Sequence, residues 1–335
     1  MKKAFILLTS AILLLTSCVD TEEYDDTPTG NFKALWEIID QHYCFFDFKQ
    51  HEYGLDWNEV YNKYKVRVND KMNEMQLFEV LTDMLAELRD GHVNLYTSYD
   101  LGRYWAWHEA YPKNYSDTLE RRYLGTDYKV NGGIRYRILD DNIGYLRYES
   151  FQTPVSESAL DDAIYYMALC RGLIIDIRNN GGGNLTTAER LAGRFVHEKT
   201  LVSYQQHKTG QGHNDFSELE PRYMEPSSKI RWHKPVCVLT NRSVFSAAND
   251  FAVIMHALPN VKLVGDRTGG GSGLPMSNSL PNGWSVRFSA CPTYDRNKQH
   301  TEFGIDPDVN TALTDEATAQ GRDLIIEKAR ELLTK

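Results

Sequence analysis

From Gly133 to Gly265 the chain repeatedly sets a short apolar run beside a segment with helical spacing, and this alternation constrains the fold more than any other feature. "GIRYRIL" and "NIGYLRYESF" read as strands, "SALDDAIYYMAL" as a helix, "GLIIDIR" as a strand, and the segment from about Thr186 to Val196 as a helix reached through a glycine turn. "VCVLT", a helix opening after Ser246, and "VKLVG" continue the pattern. Runs such as "LIID" and "VCVL" are apolar at consecutive positions, so both faces of these strands must be covered. Strands of that kind alternating with helices belong in a buried, mostly parallel sheet, which is an α/β architecture.

Residues 31–90 differ. "FKALWEIIDQHY", "WNEVYNKYKVRV" and "MQLFEVLTDMLAEL" carry helical spacing with few strand-like runs, so a small helical N-terminal domain is expected there and an α/β domain over 91–335. The stretch "TSYDLGRYWAWHEAYPKNYSD" is aromatic and irregular. Residues 197–232 are polar and read as a long loop or hairpin, "GLPMSNSLPNGWSVRFSACPTY" reads as a hairpin, and a last helix is expected from about Asp315. With 335 residues, 41% of them hydrophobic, the chain has material for one large core with an appendage.

The opening "MKKAFILLTSAILLLTSC" pairs a basic start with an apolar run too short to span a bilayer as a helix. It reads as a signal peptide over 1–17, with small residues before Cys18 that resemble a bacterial lipobox, so Cys18 is the expected lipidation site. The acidic "VDTEEYDDTPTG" that follows reads as a tether over 18–30. These features imply a lipoprotein of a Gram-negative cell envelope, on the outer membrane and held there by its lipid anchor. The formal net charge of -9, with no basic stripe, argues against a nucleic-acid partner. Cys44, Cys170, Cys237 and Cys291 form no C-x-x-C pair, so no zinc knuckle is expected and buried free thiols are the simpler reading.

Four places could carry chemistry. Three glycines, Gly181 to Gly183 in "DIRNNGGGN", end a strand before a helix, where backbone N–H groups can face an anion; a tight turn explains them equally well. No Walker lysine follows, which argues against a nucleotide phosphate. Ser246 in "SVFSAANDF" stands at a strand-to-helix turn, where a serine is either a cap or a nucleophile. His92 in "RDGHVNL" and Glu302 in "TEFGIDPDV" are, taken singly, an ordinary loop histidine and a solvated carboxylate.

Their order changes that reading. "LRDGHVNL", "IGYLRYESF", "GLIIDIRNNGGGN", "LTNRSVFSAANDFA", "LVGDRTGGGSG" and "EFGIDPDV" are six motifs in the order found in one family of serine peptidases. The sequence resembles that family, which includes the C-terminal processing proteases, the tricorn core protease and the interphotoreceptor retinoid-binding modules. The resemblance implies a crotonase/ClpP-like core of ββα units behind a helical N-terminal domain, with Ser246 as nucleophile.

Three departures from the family pattern bear on the expected mechanism and substrate. The processing proteases use a lysine 25 residues past the serine, and Gly271 stands there. The tricorn branch instead uses a histidine and a glutamate that match His92 and Glu302, but the serine that links them in tricorn is replaced by Gly91. Either water takes over the role of that hydroxyl or Glu302 reaches His92 directly. Only about fifty residues separate His92 from Ile143, too few for the PDZ domain of roughly a hundred residues that the processing proteases carry there. The aromatic loop with Trp105, Trp107, His108 and Tyr111 occupies the place instead and is a candidate lining for a substrate cleft.

The resemblance therefore implies peptide hydrolysis on unfolded or peptide substrates. Ser246 attacks, His92 takes its proton, and Glu302 stabilises the imidazolium. The backbone N–H groups of Gly182 and Ala247 hold the oxyanion, and no metal or cofactor takes part. An ionised Glu302 beside His92 would move the histidine somewhat above its ordinary pKa of about 6.5. The rival expectation is a non-catalytic ligand-binding lipoprotein on the same fold, as in the retinoid-binding branch. A coenzyme-A enzyme of the crotonase class fits an envelope setting less well.

Overall fold

The structure is a computed structural model that describes residues 24–335. The expectations for 1–17 and for Cys18 lie outside the described residues. Helix α1 (Pro28–His42) begins inside the segment read as a tether. Thr27 accepts a hydrogen bond from Gly30 N as its N-cap, Pro28 opens its first turn, and Phe32, Leu35 and Ile39 form its buried face. Helix α2 (Phe46–Tyr53) ends on Gly54 in the left-handed region, with φ +76°. Helix α3 (Trp57–Lys65) is capped by Asp56, and α4 (Glu74–Ala86) by a reciprocal Asn73/Gln76 capping box.

The chain then forms β1 (Asn94–Tyr96), β2 (Leu101–Arg103), the one-turn α5 (Ala106–Glu109), α6 (Asp117–Leu124), β3 (Lys129–Asn131), β4 (Ile134–Ile138) and β5 (Gly144–Tyr148). Next come α7 (Glu157–Tyr166), β6 (Leu173–Asp176), α8 (Leu185–Ala192), β7 (Thr200–Gln205), β8 (Glu220–Met224), β9 (Val236–Thr240), α9 (Ala247–His256) and β10 (Val261–Gly265). The chain closes with β11 (Leu274–Ser279), β12 (Ser285–Cys291), β13 (Thr293–Asp295), β14 (Val309–Asn310), α10 (Asp315–Ala319) and α11 (Leu324–Thr334).

The central sheet has seven strands in the order β14-β10-β9-β6-β5-β4-β3. The first five are parallel and the last two are antiparallel. Alternation along β6 explains its unbroken apolar run. Leu173 and Ile175 pack with Leu160, Leu191 and Phe251 beneath α7, α8 and α9, while Ile174 packs with Ile325, Ile326 and Ala329 of α11 on the opposite face. Truncating Ile175 to alanine should cost about 2–5 kcal/mol, the usual range for a large aliphatic side chain in a closed core. The polar 197–232 segment contains the hairpin β7–β8, which joins β13 in a three-stranded sheet.

A second sheet, β11-β12-β1-β2, is antiparallel and stands between the helices and the cleft. Leu95, Val286 and Phe288 share a core with Phe32, Leu35, Trp57, Leu81 and Met84, so α1 to α4 are completed by the 274–291 hairpin rather than by one another alone. The opposite face of this sheet carries Asn94, Arg287 and Ser289 toward the site.

Candidate active site

The site lies past the C-terminal ends of β6 and β9, where ligands meet open α/β sheets. Two turns are clamped together there. Asn241 accepts from Asn179 N at 3.0 Å and donates to Asn179 Oδ1 at 2.7 Å, and Asn179 itself is left-handed, with φ +60°. Ahead of them, the "DIR" of the motif is a buried ion cluster: Arg178 pairs with Asp176 at 2.6 Å and with Asp323 at 2.9 Å. Its role is to tie the end of β6 to the start of α11.

Ser246 follows β9 with φ +57° and ψ -125°, a conformation that costs a non-glycine residue on the order of 1–3 kcal/mol. Hydrogen bonds from Ser246 N to Gly270 O at 2.9 Å and from Asp250 N to Ser246 O at 2.9 Å hold it there. Although it is the N-cap residue of α9, its side chain makes no capping bond. The hydroxyl instead meets His92 Nε2 at 3.0 Å. Ala247 N–H opens α9 and has no acceptor within the helix.

Gly182 is packed against this turn. A Cβ built on it would lie 2.9 Å from Ala247 N and 2.9 Å from Ser246 Cβ, and its φ is +96°. The Gly182 N–H, expected to face an oxyanion, donates to Asn180 Oδ1 at 2.9 Å. In this structure, therefore, the Gly182 N–H is committed to Asn180, and the lack of a side chain lets the Gly182 backbone lie against Phe245 O and Ala247 N.

His92 is buried and held from behind. Its backbone N–H donates to Asp90 Oδ1 at 2.7 Å, an Asx turn that sets the loop. Asp90 Oδ2 in turn accepts from Tyr43 Oη at 2.9 Å and from Ser289 Oγ at 2.8 Å. Burial lowers the His92 pKa to about 4; the Asp90 charge works in the opposite direction, and Arg287 and Lys49 add to the depression. The expected upward shift is thus reversed, because desolvation of the imidazolium outweighs its acidic neighbour.

Glu302 is brought into the same buried cluster but not into contact with the imidazole. Its Oε1 meets Lys49 Nζ at 3.2 Å and its Oε2 accepts from Ser272 N at 3.1 Å. Of the two routes posed for Gly91, direct contact between Glu302 and His92 is not made; the Gly273 backbone faces the imidazole and favours its protonated form. Burial and then the Asp90 charge push the Glu302 pKa upward, against the pull of Lys49. Asp90 is held below the usual carboxylate range, since Lys49, His92 and the hydrogen bonds it accepts outweigh its burial. Lys49 also donates to Leu88 O at 2.6 Å, so one buried ammonium ties α2, the end of the helical layer and the Glu302 loop together.

At two of the departures, Gly91 and Gly271, a side chain would meet the Phe245 ring. A Cβ at Gly91 would fall 2.6 Å from Trp107 Nε1 and 2.8 Å from Phe245 Cζ, so a serine there is excluded by the aromatic stack of Trp107 on Phe245. Gly271 has φ +75°, and a Cβ there would strike the Phe245 ring at 2.3 Å. Lys262, the exposed residue of the otherwise buried β10, pairs with Asp308 at 3.0 Å. Among the described residues, no lysine lines the cavities on either side of Ser246, and no three His, Cys, Asp or Glu side chains are grouped to hold a metal ion.

Two cavities open beside the Ser246–His92 pair. One, of about 210 Å³, is lined by Leu185, Ala247, Leu274 and Pro275, with Glu189 and Asp250 neutralised by Arg222. The other, of about 310 Å³, lies under Trp105 and Trp107. Cys44, Cys170, Cys237 and Cys291 are all free thiols.

A strained serine at a strand-to-helix turn, with a buried histidine on its hydroxyl and clefts to either side, is the arrangement of a serine hydrolase. The chain belongs to peptidase family S41, whose family model matches residues 142–311, and residues 24–86 match the tricorn protease C1 domain. A Parabacteroides merdae crystal structure is similar at 53% identity, covering 93% of this chain and 98% of that one with a TM-score of 0.89. The carboxy-terminal processing protease CtpA of Bacillus subtilis is 28% identical over 182 residues, 53% of this chain and 37% of that protein. The tricorn protease structure shares the fold, with a TM-score of 0.54 at 16% identity over 92% of this chain and 36% of that one. The chain spans less than half the length of the curated relatives it matches.

Proposed function

We propose that this chain is a serine-type endopeptidase that cleaves peptides and unfolded proteins in the cell envelope, with Ser246 as nucleophile and His92 as its base. The observation that supports it is the 3.0 Å approach of His92 Nε2 to a Ser246 hydroxyl that makes no cap bond. In the first step Ser246 Oγ bonds to the scissile carbonyl carbon while its proton passes to His92 Nε2. The carbonyl oxygen gains the negative charge beside Ala247 N–H. His92 then gives the proton to the leaving amine, and water, deprotonated in turn by His92, releases the acyl group from Ser246.

Glu302 acts in this reading as a positioning residue. It fixes Lys49 and the Ser272 backbone, and through Lys49 and Asp90 it holds the loop that carries His92. The envelope setting, with a signal peptide over 1–17 and lipid on Cys18, belongs to the same proposal and rests on the sequence. Incubation of purified protein with an unfolded protein should release fragments, and Ser246→Ala should abolish their release; fragment release that survives this substitution would overturn the assignment.

A further inference from the structure

The sheet that carries His92's neighbours presents a row of side chains to the cleft. In the strand register Asn94 of β1 faces Arg103 of β2 on one side and Arg287 of β12 on the other, so the three stand abreast on one face. Directly paired positions place neighbouring Cβ atoms about 4.5–5.5 Å apart, which puts the two arginines roughly 10 Å apart, within mutual reach of one small anion. Both line the cavity of about 310 Å³ that also contains His92 and Ser246. No aspartate or glutamate lines that cavity.

Among the described residues neither guanidinium has a carboxylate partner. Arg103 lies over the Trp105 ring at 4.7 Å, and Arg287 Nη1 approaches Asn94 Oδ1 at 3.5 Å. By contrast, Arg222 in the cavity across Ser246 is fully engaged by Glu189 and Asp250. Two like charges set abreast repel each other unless an anion joins them, and arginine presents a planar donor fork that matches a carboxylate.

We propose that the Arg103–Asn94–Arg287 row binds a carboxylate of the substrate chain, either its C-terminal carboxylate or an acidic side chain, next to the scissile bond. The inference rests on the peptidase reading above and specifies its substrate class. An extended peptide advances about 3.3 Å per residue, so a carboxylate seated in the same cavity as Ser246 lies within about two or three residues of the bond cut. The Arg287 charge also depresses His92 basicity, and a carboxylate seated on Arg287 would offset that effect.

The test uses one cleavable peptide in four forms: with a free or amidated C-terminus, and with glutamate or glutamine beside the cleavage site. In wild-type protein one carboxylate-bearing form should exceed its neutral counterpart in kcat/KM by roughly tenfold or more, as expected for a charge-assisted contact. The pair that differs names the source of the carboxylate. Arg103→Gln, at an exposed position, and Arg103→Gln/Arg287→Gln should bring that ratio close to one, and added salt should lower it in wild type. Binding of the same labelled peptides to Ser246→Ala protein, read by fluorescence polarisation, separates the two claims. Carboxylate-dependent binding without hydrolysis by wild type would sink the peptidase reading and leave the arginine row standing. Equal treatment of charged and neutral forms in both binding and hydrolysis, or a ratio unchanged by the arginine substitutions, would overturn the row.

Discussion

Lys49 and Glu302, 253 positions apart in the chain, meet at 3.2 Å with neither side chain more than 2% exposed. With Asp90 at 3.8 Å they make one buried cation between two carboxylates directly behind the histidine loop. Removing the cation leaves the carboxylates uncompensated, so Lys49→Met should destabilise the protein by about 3–5 kcal/mol in chemical denaturation. The sign of the pH effect follows from Glu302. Its folded pKa is raised above the unfolded value, so the folded state takes up a proton first as pH falls and gains stability over that window. The Glu302 pKa of about 8 rises further without Lys49, so the deficit of Lys49→Met relative to wild type should shrink as pH falls from the alkaline side through about 8. A deficit that grows with acid would contradict the placement of Glu302.

The base must be neutral to take the Ser246 proton, and burial keeps His92 neutral down to about pH 4. The acid limb of kcat/KM should accordingly fall near pH 4, well below the ordinary histidine value of about 6.5. Asp90 raises the His92 pKa, so Asp90→Asn should move the limb lower still; the Asx turn survives through Oδ1, but an NH2 group would face the hydroxyls of Tyr43 and Ser289 that donate to Oδ2, which should slow turnover by loosening the loop. A limb near pH 6.5 in wild type would show a histidine more solvated than this one.

Gly182→Ala should reduce kcat by about 10²–10³, the usual loss when an oxyanion site is spoiled, and should also lower stability, because φ is +96° and the new methyl would fall 2.6 Å from Phe245 O. The new methyl would also sit 2.9 Å from Ala247 N and crowd that donor. Steady-state kinetics on a variant with an unchanged circular dichroism spectrum would check this, and near-normal kcat would place the oxyanion elsewhere.

Gly91→Ser introduces the residue that links histidine and glutamate in the tricorn pattern. The aromatic stack excludes it, so the substitution should lower stability by about 1–3 kcal/mol, as overpacking does, and should lower activity as well. A gain in activity would mean that Trp107 and Phe245 yield readily.

The parts of this site that could be read from sequence are those with a local signature. Consecutive apolar residues marked β6 and β9, and glycine and serine at their ends marked the turns that meet over the sheet. Helix α2 escaped notice because its apolar residues are spread around its circumference, leaving no 3.6-residue stripe, and with it went Lys49, a lysine with no exposed side-chain surface. No pattern in "FDFKQHEY" announces that its lysine meets a glutamate near the other end of the chain. Glu302 was legible as a residue of the site but not in its contacts, since whether a carboxylate reaches an imidazole or an ammonium depends on packing distances that no spacing encodes. The direction of the His92 shift was misread for the same reason: a neighbouring charge can be inferred from a motif, whereas the extent of burial cannot.

Activation of Ser246 by His92 can be read from labelling with a serine-directed fluorophosphonate followed by peptide mass mapping. Wild-type protein should carry a single adduct on Ser246, Ser246→Ala should carry none, and His92→Ala should label slower by at least about 10²-fold, the lower range for loss of a general base. An adduct on another residue, or labelling of Ser246 at the full rate without His92, would contradict it.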